Sequence, residues 1–201
     1  MQTETRSIQD ATVVLASGSP RRAELLTQVG IPFIVDPSGA DETPEPDWDP
    51  VECATRLAAR KAMDVANRHP EADVILGADT IVVVDDAIFG KPRDAAHAVE
   101  MLQRLSGRAH AVITGWSLVD PKGNRAIAEF TSSRVFFDDL DAETIERYVA
   151  TGEPMDKAGA YAIQGKAGLF VQAIEGDYAN IVGLPIAAVG RALRQFGWHV
   201  I

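Results

Sequence analysis

Two hydroxyls and two guanidinium groups fall within six residues, Ser17-Gly18-Ser19-Pro20-Arg21-Arg22. The segment links an apolar run that reads as a strand to a stretch that reads as a helix. Ser19 is the expected cap of that helix, and Pro20 suits its first position, where a missing N–H costs nothing. Unpaired N–H groups at a helix start, beside hydroxyls and arginines, make a corner suited to phosphate. The chain contains no G-x-x-x-x-G-K-[ST] loop, and no G-x-G-x-x-G follows a strand. Neither a Walker A site nor a dinucleotide fold is therefore supported.

A carboxylate, Asp79, interrupts the apolar run from Val74 to Val84. It either faces water where a strand ends or meets a cation, because an isolated buried carboxylate is very costly. Gly77, two residues earlier, permits close approach of another group to the backbone. Lys61 lies on a stripe with Leu57 and Val65 at i, i+4 spacing. Its ammonium either reaches the edge of the helix or points into a cleft. A turn at Asp85-Asp86 would fold Ala87–Phe89 back on Ile81–Val84 and return Lys91 toward Asp79. Two further segments, Gly152–Gly165 and Gly176–Pro185, mix small residues with Asp, Lys, Gln and Asn. The first suits a ligand-lining wall better than a core. The four histidines have no ligand spacing, so a zinc site and a Ser-His-Asp triad are unsupported.

The elements that must position these groups follow from periodicity and caps. Strands are predicted at Thr12–Ala16, Phe33–Asp36, Val74–Val84, His110–Val119, Ala126–Phe137 and Leu169–Ile174. Helices are predicted at Arg21–Val29, Pro50–Asn67, Asp94–Leu105, Ala142–Ala150 and Pro185–Phe196. Asp49-Pro50-Val51-Glu52 has the cap, N1 proline and N3 acid of a helix start, and Asp94 and Asp141 cap the next two. The stretch Gly39–Pro50 reads as an acidic, mobile loop. Interleaved strands and helices with hairpins among them predict an α/β fold with a mixed sheet. Residues 1–10 read as a flexible arm and 11–201 as one domain.

With 201 residues, 46% of them hydrophobic, the chain can bury one substantial core or two small ones. Its net charge of −10 argues against nucleic acid and membrane-surface partners, and an anionic substrate would need a local cluster of cations. One cysteine, Cys53, excludes an internal disulfide and reads as a packed helix side chain. The polar start lacks the apolar core of a signal peptide, and no apolar run approaches the ~20 residues of a membrane span. These features point to the cytoplasm.

Six motifs occur in one order: Ser17–Arg22 with Leu25-Leu26, Gly77-Ala78-Asp79-Thr80, Gly90-Lys91-Pro92, Leu105-Ser106-Gly107, Asp156–Tyr161 with Gln164-Gly165, and Val182-Gly183-Leu184-Pro185. Together they resemble Maf-like proteins, which are nucleoside triphosphate pyrophosphatases similar in fold to the inosine triphosphate pyrophosphatases. The resemblance runs from Val13 onward, and only the N-terminal arm departs. It implies a mixed twisted sheet with flanking helices, in two lobes around a cleft. It also implies hydrolysis between the α and β phosphates, a divalent cation (Mg²⁺ or Mn²⁺) and a homodimer. By motif position Asp79 corresponds to the proton acceptor, with Lys61 and Lys91 as further catalytic residues. Ser17, Arg22 and Glu42 also fall at active-site positions; Ser19 joins Ser17 and Arg22 at the phosphates by its hydroxyl at the helix start, and the oxygen preference of Mg²⁺ makes Glu42 and Asp79 its expected ligands.

Subfamilies similar to this chain differ at the positions of Arg21, Thr80 and Gln164. Members directed at methylguanosine triphosphate carry Trp, Gln and Glu there, which suits a cationic base that donates from N1–H and N2–H₂. Thymine and uracil instead offer an imide N3–H between two carbonyls. Gln164 can accept from the N–H and donate to one carbonyl, while Arg21 donates to the other. The expected substrates are therefore dTTP and UTP. The alternative is a nucleotide-binding regulator of septum formation without significant turnover.

Overall fold

The computed structural model describes residues 6–201. In chain order its elements are β1 (Arg6–Ser7), β2 (Val13–Leu15), α1 (Pro20–Gln28), β3 (Ile34–Val35), α2 (Pro50–Ala66), β4 (Val74–Val84), β5 (Ala87–Phe89), α3 (Ala95–Leu105), β6 (Ala109–Asp120), β7 (Arg125–Phe137), α4 (Ala142–Ala150), β8 (Val171–Glu175), α5 (Tyr178–Val182), α6 (Ile186–Gln195) and β9 (Trp198–His199). Short 3-10 turns cover Ile8–Asp10, Glu153–Asp156, Ala158–Ala160 and Lys166–Phe170.

The main sheet has the order β3-β2-β4-β6-β7-β8, with β5 pairing on β4. β2 runs parallel to both β3 and β4, whereas β4–β5 and β7–β8 are antiparallel. The sheet is thus mixed, as expected. The β4–β5 turn places Asp85 and Asp86 both at positive φ (50° and 60°), the conformation that tight hairpins need. Asp49, Asp94 and Asp141 each cap a helix as predicted, and Asp49 and Glu52 form a reciprocal capping box.

Four expectations need correction. Ser19 occupies the N-cap position of α1, but its side chain makes no capping bond. The nearby Ser17 Oγ instead accepts the Ser19 N–H at 3.3 Å. The strand expected from Leu169 starts later, because Lys166–Phe170 forms a 3-10 turn first. The segment Gly176–Pro185, whose bounding glycines read as a loop feeding a helix, contains α5, too short to show a helical period. Finally, Arg6–Ser7 of the predicted arm pairs in parallel with Trp198–His199, and Ile8 is fully buried. A two-residue ladder between chain ends leaves no alternation to read. Residues 1–5 of that arm lie outside the described residues.

The chain divides into two compact units, and the division falls inside β4, β6 and β7. The first comprises residues 6–79, 114–131 and 183–201. Val14, Ala16, Ala62, Val65, Ile75 and Val119 form a core within it. The second comprises residues 80–113 and 132–182. Its core is richer in aromatics: Phe137 meets His110 and Tyr161 edge-on, with ring centroids 5.0 and 4.9 Å away. Among the described residues no helix is long and apolar enough to cross a membrane.

Candidate functional site

In the first unit β2, α1, β3, α2 and β4 form two parallel crossovers, and β2 lies between β3 and β4. One connection leaves β2 toward β3, and the next returns past it to β4. Ligands in open α/β sheets sit at such a reversal, beyond the carboxyl ends of the strands. The carboxyl end of β2 leads directly into Ala16-Ser17, and its partner strand β4 carries Asp79.

Helix α2 reaches this place because two glycines let it lie close on the sheet. A Cβ on Gly77 would stand 2.4 Å from the Ala58 carbonyl oxygen, and one on Gly115 2.1 Å from that of Ala54. The stripe Leu57, Lys61 and Val65 is buried as its spacing requires. Lys61 does not run to the helix edge. Its ammonium lies 2.6 Å from Asp79 Oδ1 and 3.0 Å from Glu42 Oε2. The Lys61 and Asp79 side chains are about nine-tenths buried, whereas Glu42 is largely exposed. A hydrogen-bonded counter-charge is what lets a carboxylate sit in that apolar strand.

Glu42 stands on the acidic loop before α2, and that loop is tied to the helix on both sides of it. Asp64 accepts bonds from Ser38 Oγ and the Gly39 N–H, both at 2.9 Å. Those bonds hold the Asp64 carboxyl below the usual range. Arg60 donates to the Thr43 carbonyl (3.1 Å) and to Glu45 Oε1 (2.6 Å), and its guanidinium lies 4.6 Å from the Trp48 ring centroid. The loop expected to be mobile is therefore strapped at residues 38–39 and 43–48. Nothing in the sequence marks Arg60 and Trp48, since an arginine and a tryptophan twelve residues apart carry no pairing signal.

Arg22 adds a further cation to Lys61 at this place. It donates through Nη1 to Ser17 Oγ and through Nε to the Gly183 carbonyl, each at 2.8 Å. The Val182–Pro185 motif thus fixes the guanidinium, a part the sequence did not disclose. Burial pulls the Arg22 guanidinium below its ordinary value, while Asp79 and Glu42 pull it back up and Arg21 opposes them. These couplings put Arg21, Arg22, Lys61, Asp79 and Glu42 in one electrostatic cluster. Three cations against two carboxylates give the local positive balance that an anionic substrate needs in a chain of net charge −10.

Ser17, Arg22, Glu42, Lys61 and Asp79 are therefore brought together within one unit. Ser19 and the half-buried Arg21 begin α1 in the same unit. Thr80, Lys91 and Gln164 belong to the second unit. Thr80 follows Asp79 in β4, Lys91 is exposed after β5, and Gln164 is exposed on a turn before the Lys166–Phe170 3-10 segment.

No group of three or more His, Cys, Asp or Glu side chains among the described residues could hold a metal alone. Asp79 and Glu42, which both meet the Lys61 ammonium, still offer the oxygen ligands of Mg²⁺, which keeps several waters and takes one or two carboxylates plus substrate phosphates. Cys53 is buried and free. His110 is buried against Tyr161, with 2.8 Å from Nε2 to the hydroxyl.

Comparison with known proteins agrees with this architecture. The chain is 46% identical over 189 residues to a dTTP/UTP pyrophosphatase of Pelotomaculum thermopropionicum, covering 94% of this chain and 98% of that one. It is 51% identical over 188 residues to a dTTP/UTP pyrophosphatase of Symbiobacterium thermophilum, covering 94% and 95%. Among solved structures, the Staphylococcus aureus Ham1 protein has the same fold at a TM-score of 0.55. Its identity is 12%, over 92% of this chain and 98% of that one. The Maf-like protein family matches residues 12–196, and the chain belongs to that family.

Proposed function

We propose that this protein hydrolyses nucleoside triphosphates, dTTP and UTP above others, to the nucleoside monophosphate and pyrophosphate. The observation that carries the reading is the buried Lys61–Asp79 pair shared with Glu42, beside Arg22. A purely structural ion pair would not call for a second carboxylate delivered by a strapped loop. The names borne by the relatives point to the same substrates.

In this reading Asp79 accepts the proton of the attacking water. The water oxygen bonds to the α phosphorus, the bond from that phosphorus to the bridging oxygen breaks, and pyrophosphate leaves with the bonding electrons. One NTP and one water become NMP, pyrophosphate and a proton. Charge spread over the phosphoryl oxygens is met by preorganised cations, so catalysis is chiefly positioning and electrostatics. Arg22, held by Ser17 and Gly183, and Lys61 supply that field. Glu42 and Asp79 would hold the divalent cation, which when bound neutralises phosphate charge. The second-unit residues keep the roles implied by the resemblance: Lys91 toward phosphate charge, Thr80 and Gln164 (with Arg21) toward the base. The same resemblance carries the proposal of a homodimer, and the polar start without a long apolar run carries that of a cytoplasmic location.

The test is product analysis on a panel of dTTP, UTP, CTP, ATP, GTP and 7-methyl-GTP, with Mg²⁺, with Mn²⁺ and with chelator. The expected result is monophosphate plus pyrophosphate, fastest from dTTP and UTP and abolished by chelation. Tight nucleotide binding without any release would favour the regulator instead.

A further inference from the structure

The turn that carries Gln164 is held from both sides by two side chains that sequence reading gave no part. Helix α4 buries Tyr148, whose ring packs edge-on to Phe170 with centroids 5.1 Å apart. Its hydroxyl donates to Glu153 Oε1 at 3.1 Å and accepts a backbone hydrogen bond from Ala162. Burial, and then the Glu153 charge, push the Tyr148 hydroxyl up, so it stays a donor. The other carboxylate oxygen of Glu153 accepts the Lys166 N–H at 3.2 Å.

The Glu153 backbone is itself fixed. The Glu153 N–H donates to Thr151 Oγ1 (3.2 Å), and that hydroxyl donates to the Tyr148 carbonyl (2.7 Å). Between the two anchor points the turn closes with a Gly165 N–H to Ala162 carbonyl bond of 2.9 Å. Gly165 lies directly on Glu153, since a Cβ there would stand 2.1 Å from Oε1. Ala162 and Lys166 flank Gln164 symmetrically, two residues away on each side. Gln164 itself is exposed.

We infer that Glu153 and Tyr148 are positioning residues for base selection: they fix the 162–166 turn so that Gln164 presents its amide in one orientation. The inference rests on the proposed reading of Gln164 as the group that meets the base. Neither residue touches substrate. A freely rotating amide on a loose turn loses the geometry that separates an imide N3–H from the bare N3 acceptor of cytosine. The clamp acts on nucleotide recognition and leaves the chemistry at phosphorus alone.

The test is steady-state kinetics with dTTP, UTP and CTP for the full chain and for Glu153→Ala, Tyr148→Phe, Glu153→Gln, Gln164→Ala and the Glu153→Ala/Gln164→Ala double variant. Tyr148→Phe keeps the ring and its packing, so it reports on the clamp even if Glu153→Ala folds poorly. The expected result is a rise of about tenfold in KM for dTTP and UTP in Glu153→Ala and Tyr148→Phe, with kcat within about threefold. Their preference for dTTP over CTP narrows, and Glu153→Gln, which retains an acceptor for the Lys166 N–H, recovers most of it. In the Gln164→Ala background Glu153→Ala adds no further loss of preference. Loss of kcat with unchanged preference, or independent effects in the double variant, would overturn the clamp. If Gln164→Ala shifts the preference and the clamp variants do not, the clamp fails alone. If Gln164→Ala leaves the preference intact, the base-reading role fails and takes the clamp with it.

Discussion

A single ammonium organises the candidate site, since Lys61 neutralises a carboxylate that the apolar strand could not otherwise hold. Removing one member of a buried pair leaves the other charge unsolvated, at a cost of about 3–5 kcal/mol. Lys61→Met is accordingly expected to lower stability by roughly that amount in urea denaturation. Asp79→Asn in the same chain should restore part of it, because the stranded charge is gone. Equal stability of Lys61→Met and the native chain would show that Asp79 draws its support from elsewhere. At this scale the sequence was informative wherever a residue broke its local pattern: Asp79 inside a β run, Lys61 on an apolar stripe. It was silent on Arg60, Trp48, Tyr148 and Glu153, whose residue types are ordinary for their elements and whose roles arise only from long-range contacts.

Among the elements, α2 carries most of the burden. Its capping box and the small faces of Gly77 and Gly115 set it close on the sheet, and its other residues strap the Glu42 loop. Gly77→Ala places a methyl against the Ala58 carbonyl, where the helix backbone has no room to move. The expected cost is about 1–3 kcal/mol in a denaturant titration, with activity falling because Lys61 is displaced from Asp79. Unchanged stability would mean that the helix yields easily. Most element positions were legible, because caps and periodicity agree along α2, α3, α4 and β4. The five-residue α5 and the two-residue strands β1 and β9 were not, since they are too short to show a period. Ser19 was misread for a related reason: helix statistics favour a capping serine, but here the hydroxyl two residues earlier serves the backbone and Arg22.

Over the whole molecule, two units with separate cores make stability sensitive to whichever core fails first. In the second, burial lowers His110 to about 4, so the folded chain holds it neutral while the unfolded chain binds a proton near 6.5. The stabilisation is full above pH 6.5 and is lost as pH falls toward 4, about 3 kcal/mol in all. The shifted carboxylates Asp41, Asp64, Asp73, Asp85 and Asp141 all lie below 3.8 and act in more acid solution. Thermal melts from pH 7 to 4.5 should show a steep loss in the native chain and a shallow one in His110→Gln. Parallel profiles would remove His110 from that role. Across the molecule as a whole, the reaction itself is the sharpest test: the products and turnover of dTTP with Mg²⁺ for the native chain and for folded Asp79→Asn. The account predicts dTMP and pyrophosphate from the native chain and a ~10²–10⁴-fold fall in the variant. Orthophosphate with dTDP, or native turnover in Asp79→Asn, would contradict it.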